Sequence, residues 1–179
     1  MKILVIVAHP DLEKSRGNRA FIDQLRKHET ITVRDLYQSY PNWEIDIEQE
    51  HELLVQYDRI VFQFPFYWYS CPPLLKKWFD DVLTYGWAFG TEGNQLKGKE
   101  FIAAITAGGS ENAYRSGGDD WFTISEYLRP IQATILRCKG TYLPAFITYN
   151  TDAGTDDYLV AQASQYIDHI SSLQKDLIM

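Results

Sequence analysis

The chain predicts a doubly wound α/β domain, and three observations carry that prediction. Strand-like apolar runs alternate with helix-like segments from one end of the 179 residues to the other. Most of those runs are continuously apolar, as in a parallel sheet buried on both faces. Five of them, each followed by a helix, suit the strand order 2-1-3-4-5 with helices on both sides. The length matches a single domain spanning residues 1–179. A chain of this size removes roughly 70% of its unfolded surface from water.

Residues 2–7 are an unbroken aliphatic run and form the first strand. A helix over 18–27 follows, with Ala20, Phe21 and Leu25 at helical spacing, and residues 30–36 alternate as a second strand. Asp46 and Gln49 make a capping pair for a helix that carries Leu53 and Leu54. Residues 59–64 form a third strand. Pro72-Pro73 then opens a helix, since proline suits a first turn. Its Leu74, Leu75, Trp78, Phe79, Val82 and Leu83 make one wide apolar stripe opposite Lys76, Lys77, Asp80 and Asp81. That stripe fits either a homodimer contact or core packing. Strands follow at 101–106 and 142–149, with a helix near 122–136 that Pro130 kinks or splits. An amphipathic helix over 157–173 closes the chain.

Composition excludes several function classes. The formal net charge is −7 and no basic run is visible, which disfavours nucleic acid, whose phosphates need Lys and Arg. No apolar run approaches the roughly 20 residues of a membrane span. The first residues lead straight into His9-Pro10-Asp11, and so read as a strand rather than a signal peptide. Cys71 and Cys138 have no metal-ligand spacing. Two free thiols in a reducing cytosol, and no metal, are expected. Aromatic residues make up 15% of the chain and crowd into 62–89, a concentration that asks for a ligand or a contact surface.

In a parallel sheet, the loops after strands 1, 3 and 4 converge on one edge, where such folds bind ligands. The first loop leads into a helix start, which favours an anion, and Ser15, Gly17 and Asn18 offer small polar groups there. His9 adds a hydrogen-bonding ring. The second loop holds four consecutive aromatics, Phe66, Tyr67, Trp68 and Tyr69. A flat aromatic ligand would cover them, as would core packing or a subunit contact. The third loop, Thr106-Ala107-Gly108-Gly109, permits close backbone approach, and Tyr114 places a phenol at its edge. Each loop alone also reads as a capped helix or a plain β–α turn, and the three together make the stronger signal.

The runs AHPDLEKSRGN, IVFQFPFYWYSCPPLLKKWFDDVLTYGWAFG and ITAGGSENAY resemble the NAD(P)H:quinone oxidoreductase family of flavodoxin-like proteins. YPNWEIDIEQE and GNQLKGK are similar to a bacterial branch that includes ancillary flavoproteins of glutathione-gated potassium-efflux systems. The resemblance covers about residues 2–150. It implies a flavodoxin-like fold whose three loops hold a flavin. FMN is expected over FAD because the chain is short beyond its last helix. His9, Ser15, Gly17 and Asn18 would hold the phosphate end. Phe66, Tyr67, Trp68 and Tyr69 would line the isoalloxazine ring, and Thr106, Ala107, Gly108 and Gly109 would bond its pyrimidine side. Tyr114 matches the family's catalytic tyrosine. Trp87 and Phe89 fall where the family caps the acceptor pocket, often from the partner subunit.

The implied activity is a two-electron, ping-pong hydride transfer from NADPH or NADH, through flavin N5, to a quinone-like acceptor. One departure stands out. Animal members place a histidine six residues after the tyrosine, and here that position is Asp120. The Tyr–His proton relay is therefore not carried over. The alternatives are a regulatory subunit of a potassium-efflux membrane protein, a one-electron carrier, and an α/β binding domain without flavin. The expected setting is the cytoplasm, with a transporter partner able to bring the protein to the inner face of the membrane.

Overall fold

The computed structural model describes residues 1–172. Its centre is a parallel sheet of β1 (Ile3–Val7), β2 (Ile31–Asp35), β3 (Arg59–Pro65), β4 (Glu100–Thr106), β5 (Thr141–Tyr142) and β6 (Phe146–Thr148). The order is β2-β1-β3-β4-β5, and β6 also pairs with β4. The expected fifth strand is thus present in two pieces. Pro144 lies between them and has no N–H for the ladder.

Alternate residues along each strand feed two cores, because successive side chains point to opposite faces. Leu4, Ile6, Phe62, Phe101 and Ile105 pack with α4 (Pro73–Val82) and α6 (Arg129–Arg137). Ile3, Val5, Val61, Ile102 and Ala104 face α1 (Arg16–Leu25) and α7 (Asp156–Ser171). Two of the helix boundaries follow the punctuation closely. Pro72 caps α4, and Asp46 Oδ1 accepts Gln49 N–H at 3.0 Å to start α3 (Ile47–Val55). The Gln49 side chain turns to Arg34 instead of closing a reciprocal box.

The helix expected near 122–136 is two helices, α5 (Ile124–Tyr127) and α6, with Pro130 in the first turn of the second. A short α2 (Leu36–Ser39), capped by Asp35, was not expected from the sequence. Residue 173, the expected end of the closing helix, lies outside the described residues. The wide α4 stripe is covered within one chain, since all six of its residues are buried. Core packing explains it, and the argument from that stripe to a homodimer lapses.

Two buried charges brace the frame. Glu50 accepts hydrogen bonds from Trp78 Nε1 (2.9 Å), Tyr40 Oη (2.7 Å) and Arg34 Nη2 (2.8 Å). Arg59 pairs with Glu100 and donates to the carbonyls of Ile170 and Ser172, which ties the end of α7 to the sheet. The register ends β1, β3, β4 and β6 together. Val7 lies beside Gln63, Pro65 beside Thr106, and Thr106 beside Thr148.

Candidate active site

A cavity of about 720 Å³ opens at that shared carboxyl edge. Its floor is the amino end of α1. Ser15 is the N-cap, with Oγ accepting Asn18 N–H at 3.3 Å. The first amides of a helix, here those of Arg16 and Gly17, have no intrahelical partner and suit an anion. Lys14 and Arg16 stand at the mouth, each paired with an acid: Lys14 with Asp11 and Arg16 with Asp156, both at 2.6 Å.

Asn18 faces inward more than the sequence suggests. Its Nδ2 donates to Ser15 Oγ (3.1 Å) and Thr106 Oγ1 (3.0 Å), while its Oδ1 accepts from Gln63 Nε2 (3.0 Å). It therefore clamps the first and third loops together. His9 is buried, and its Nδ1 accepts Asp11 N–H at 3.1 Å. A neutral ring in that arrangement carries its proton on Nε2. Burial pushes the His9 pKa down, against the opposing pull of Asp11 and Asp35.

Pro65, Phe66 and Tyr67 form one wall. Phe66 N donates to Thr106 O at 2.8 Å, joining the second loop to the third. Beyond Phe66 the chain makes a tight turn. Tyr67 N reaches Ser70 O (3.1 Å), and Ser70 N reaches Tyr67 O (2.9 Å). Trp68 and Tyr69 sit between them at φ 46° and 62°, in the left-handed region. The Trp68 side chain is 93% exposed. Tyr69 turns to Asp120 and stacks on Tyr127. Neither Trp68 nor Tyr69 lines the cavity.

The opposite wall is Thr106, Gly108, Gly109 and Tyr114. Ala107 is a strut: its N–H goes to Thr148 O and its carbonyl receives Thr151 N–H. The two glycines leave room for neighbouring side chains that a Cβ would displace. A Cβ on Gly108 would lie 2.4 Å from Asp152 Oδ2, and one on Gly109 would lie 3.0 Å from the Tyr114 ring. Burial, followed by the negative charge of Asp120, pushes the Tyr114 phenol pKa up and keeps it a proton donor. Thr151 and Asp152, in the loop after β6, complete the lining. Sequence reasoning missed this fourth loop and Gln63, although the rule that ligands sit beyond the strand ends covers the fifth strand too.

Trp87 and Phe89 are not brought to the cavity of their own chain. Trp87 stacks on His51 with ring centres 3.5 Å apart. Phe89 packs edge-on to Tyr85 beneath the Arg137 guanidinium. Among the described residues no cluster of three or more His, Cys, Asp or Glu could hold a metal, and no helix is long and apolar enough to cross a membrane.

An anion-binding helix end, an aromatic wall and a glycine backbone around one slot suit a phosphorylated flat ring. A model of the flavodoxin-like fold family matches residues 1–170. The chain belongs to that family. General stress protein 14 of Bacillus subtilis is 49% identical over 170 residues, covering 95% of this chain and 97% of the relative. The uncharacterized NAD(P)H oxidoreductase YdeQ of the same species is 45% identical over 174 residues, 97% and 88% of the two chains. The glutathione-regulated potassium-efflux system ancillary protein KefF of Salmonella typhi is 42% identical over 173 residues, 97% of each.

Two solved structures are also similar. One is the general stress protein 14 of Treponema denticola in complex with FMN, with TM-score 0.91 and 37% identity over 95% of this chain and 98% of that one. The other is an NADPH-quinone reductase of P. pentosaceus, with TM-score 0.88 and 34% identity over 97% and 99%.

Proposed function

We propose that the chain is an FMN-dependent NAD(P)H:quinone oxidoreductase. The observation that carries this reading is the single slot in which the α1 amino end, the Phe66–Tyr67 wall and the Gly108–Gly109 backbone face one another. The likeness to an FMN-bound protein and to an NADPH-quinone reductase supports it. When bound, FMN would supply two-electron hydride chemistry linking NADPH or NADH to a quinone-like acceptor.

The chain's own groups would bind and orient. Ser15 and the amides of Arg16 and Gly17 would receive the phosphate. His9 Nε2–H would donate to it, and Asn18 would hold Ser15 and Thr106 in register. The backbone of Gly108 and Gly109 would approach the ring edge closely and offer N–H donors where negative charge builds up. Tyr114 would hold a proton at its phenol oxygen beside the ring. The Asp152 carboxylate suits hydroxyl groups rather than the phosphate, which it would repel.

Trp87 and Phe89 would reach an acceptor only across a homodimer. The exposed aromatics Trp68, Tyr85, Trp121 and Phe122 support such a contact. The likeness to KefF supports a second reading, in which the same flavoprotein docks on a potassium-efflux protein at the cytoplasmic membrane face.

A visible spectrum of the purified protein tests the main reading. Flavin absorbance that bleaches with NADPH and returns with a small quinone is expected. Protein that stays colourless after incubation with FMN and FAD would refute it.

A further inference from the structure

The turn beside the cavity is held by a residue that lies outside it. Trp68 and Tyr69 are consecutive non-glycine residues in the left-handed region. The Tyr67–Ser70 backbone pair closes the turn, but two bulky side chains in this region are strained and persist only where further contacts over-determine them. Neither residue is fixed by deep burial, since Trp68 projects into solvent and Tyr69 is half-buried.

The fixing contacts run through Tyr69. Its ring stacks on Tyr127 with centres 5.0 Å apart at 24°, and meets the Phe66 ring edge at 6.3 Å. Its Oη donates to Asp120 Oδ1 at 3.2 Å. Asp120 is itself held on both sides. Its N–H donates to Ala113 O (3.1 Å), and its carbonyl accepts Tyr127 Oη–H at 2.7 Å. The segment it fixes carries Tyr114, whose ring meets Phe66 at 5.7 Å.

We propose that Asp120 is a positioning residue: by accepting the Tyr69 hydroxyl it latches the 67–70 turn to the segment carrying Tyr114. That sets Phe66 and Tyr67 against the cavity. The latch itself stands on the geometry alone. Its consequence for ligand binding rests on the flavin reading above.

The test compares wild type with Tyr69→Phe, Asp120→Ala, the double variant and Asp120→Asn. The first readout is amide hydrogen exchange at Tyr67 and Ser70 in protein stripped of flavin. Loss of one hydrogen bond to a charged acceptor is expected to raise exchange about tenfold in either single variant. The double variant should be no faster than the singles, because both remove the same contact. Asp120→Asn keeps an acceptor oxygen and should restore protection. The second readout is the FMN dissociation constant from quenching of flavin fluorescence, expected to rise by about five- to tenfold in parallel with exchange.

Unchanged exchange in both single variants, or effects that multiply in the double variant, would overturn the latch. A lower melting temperature with an unchanged FMN dissociation constant would also overturn the positioning role. A wild type that binds no FMN would defeat the flavin reading and the positioning role with it, while the exchange rates would still judge the latch. Tyr69→Phe alters only a hydroxyl on a half-buried ring, so it carries the comparison even where Asp120→Ala folds poorly.

Discussion

Replacing Asn18 with alanine probes the clamp between the first and third loops. The side chain makes three hydrogen bonds, at 3.1 Å to Ser15 Oγ, 3.0 Å to Thr106 Oγ1 and 3.0 Å from Gln63 Nε2. All four residues line the cavity edge or sit behind it, and Asn18, Thr106 and Gln63 are buried. Ser15 Oγ keeps its bond from Asn18 N–H, and Gln63 Nε2 keeps a long 3.5 Å contact with Asn18 O. The principal losses are therefore two buried bonds, those of Thr106 and Gln63. A buried partner left unsatisfied costs about 1–3 kcal/mol. Better helix propensity returns about 0.5 kcal/mol. The expected net loss is about 1.5–5.5 kcal/mol in urea unfolding, with an unchanged m-value. Asn18→Asp separates stability from anion binding. It keeps the Gln63 acceptor and suits a helix amino end, but puts a negative charge beside the proposed phosphate. FMN affinity should then fall further than in Asn18→Ala while stability falls less. A stability loss below about 0.5 kcal/mol for Asn18→Ala would refute the clamp.

Three further outcomes follow from the same geometry. His9 has a folded-state pKa below its unfolded value, so the unfolded chain takes up its proton first as pH falls. Flavin-free protein should lose stability as pH drops through about 6.5, with no His9 contribution above that, and His9→Gln should flatten the slope in melting curves from pH 5 to 8. Gly109→Ala would press a methyl group against the Tyr114 ring at 3.0 Å; turnover with NADPH and quinone should fall by about tenfold or more, as for a displaced catalytic group, while the melting temperature moves little. Arg59→Leu leaves Glu100 and the end of α7 without their buried partner and should cost about 3–5 kcal/mol in denaturant unfolding. The FMN affinity of its folded fraction should match wild type, because Arg59 sits at the amino end of β3, at the opposite edge of the sheet from the cavity.

The loops that build the cavity were legible because their residue types are unusual where they stand. Four successive aromatics and a Gly-Gly pair have few uses at a strand end. The roles inside those loops were less legible. Trp68 and Tyr69 belong to the aromatic run, yet a left-handed turn carries them away from the slot. Ala107 belongs to the glycine-rich loop, yet its backbone is already paired with Thr148 and Thr151. Backbone dihedrals and hydrogen-bond partners decide such roles, and neither can be read from residue type.

Periodicity and punctuation by themselves determined the strand–helix alternation, the buried parallel sheet and its order, since continuous apolar runs and proline-marked helix starts act locally. The break at Pro144 and the split before Pro130 lay within reach of the same rules. Tertiary structure alone decided which long-range partners meet. Asn18 bonds Thr106 across 88 residues, Tyr69 meets Asp120 across 51, and Asp152 returns from a fourth loop to the Gly108 backbone. It also decided that the α4 stripe closes on its own core, because the sheet, α2 and α3 pack over that helix, and Trp78 Nε1 donates to Glu50 on α3. Hydrophobic patterning is a property of neighbours in the chain, whereas a binding site is a property of neighbours in space.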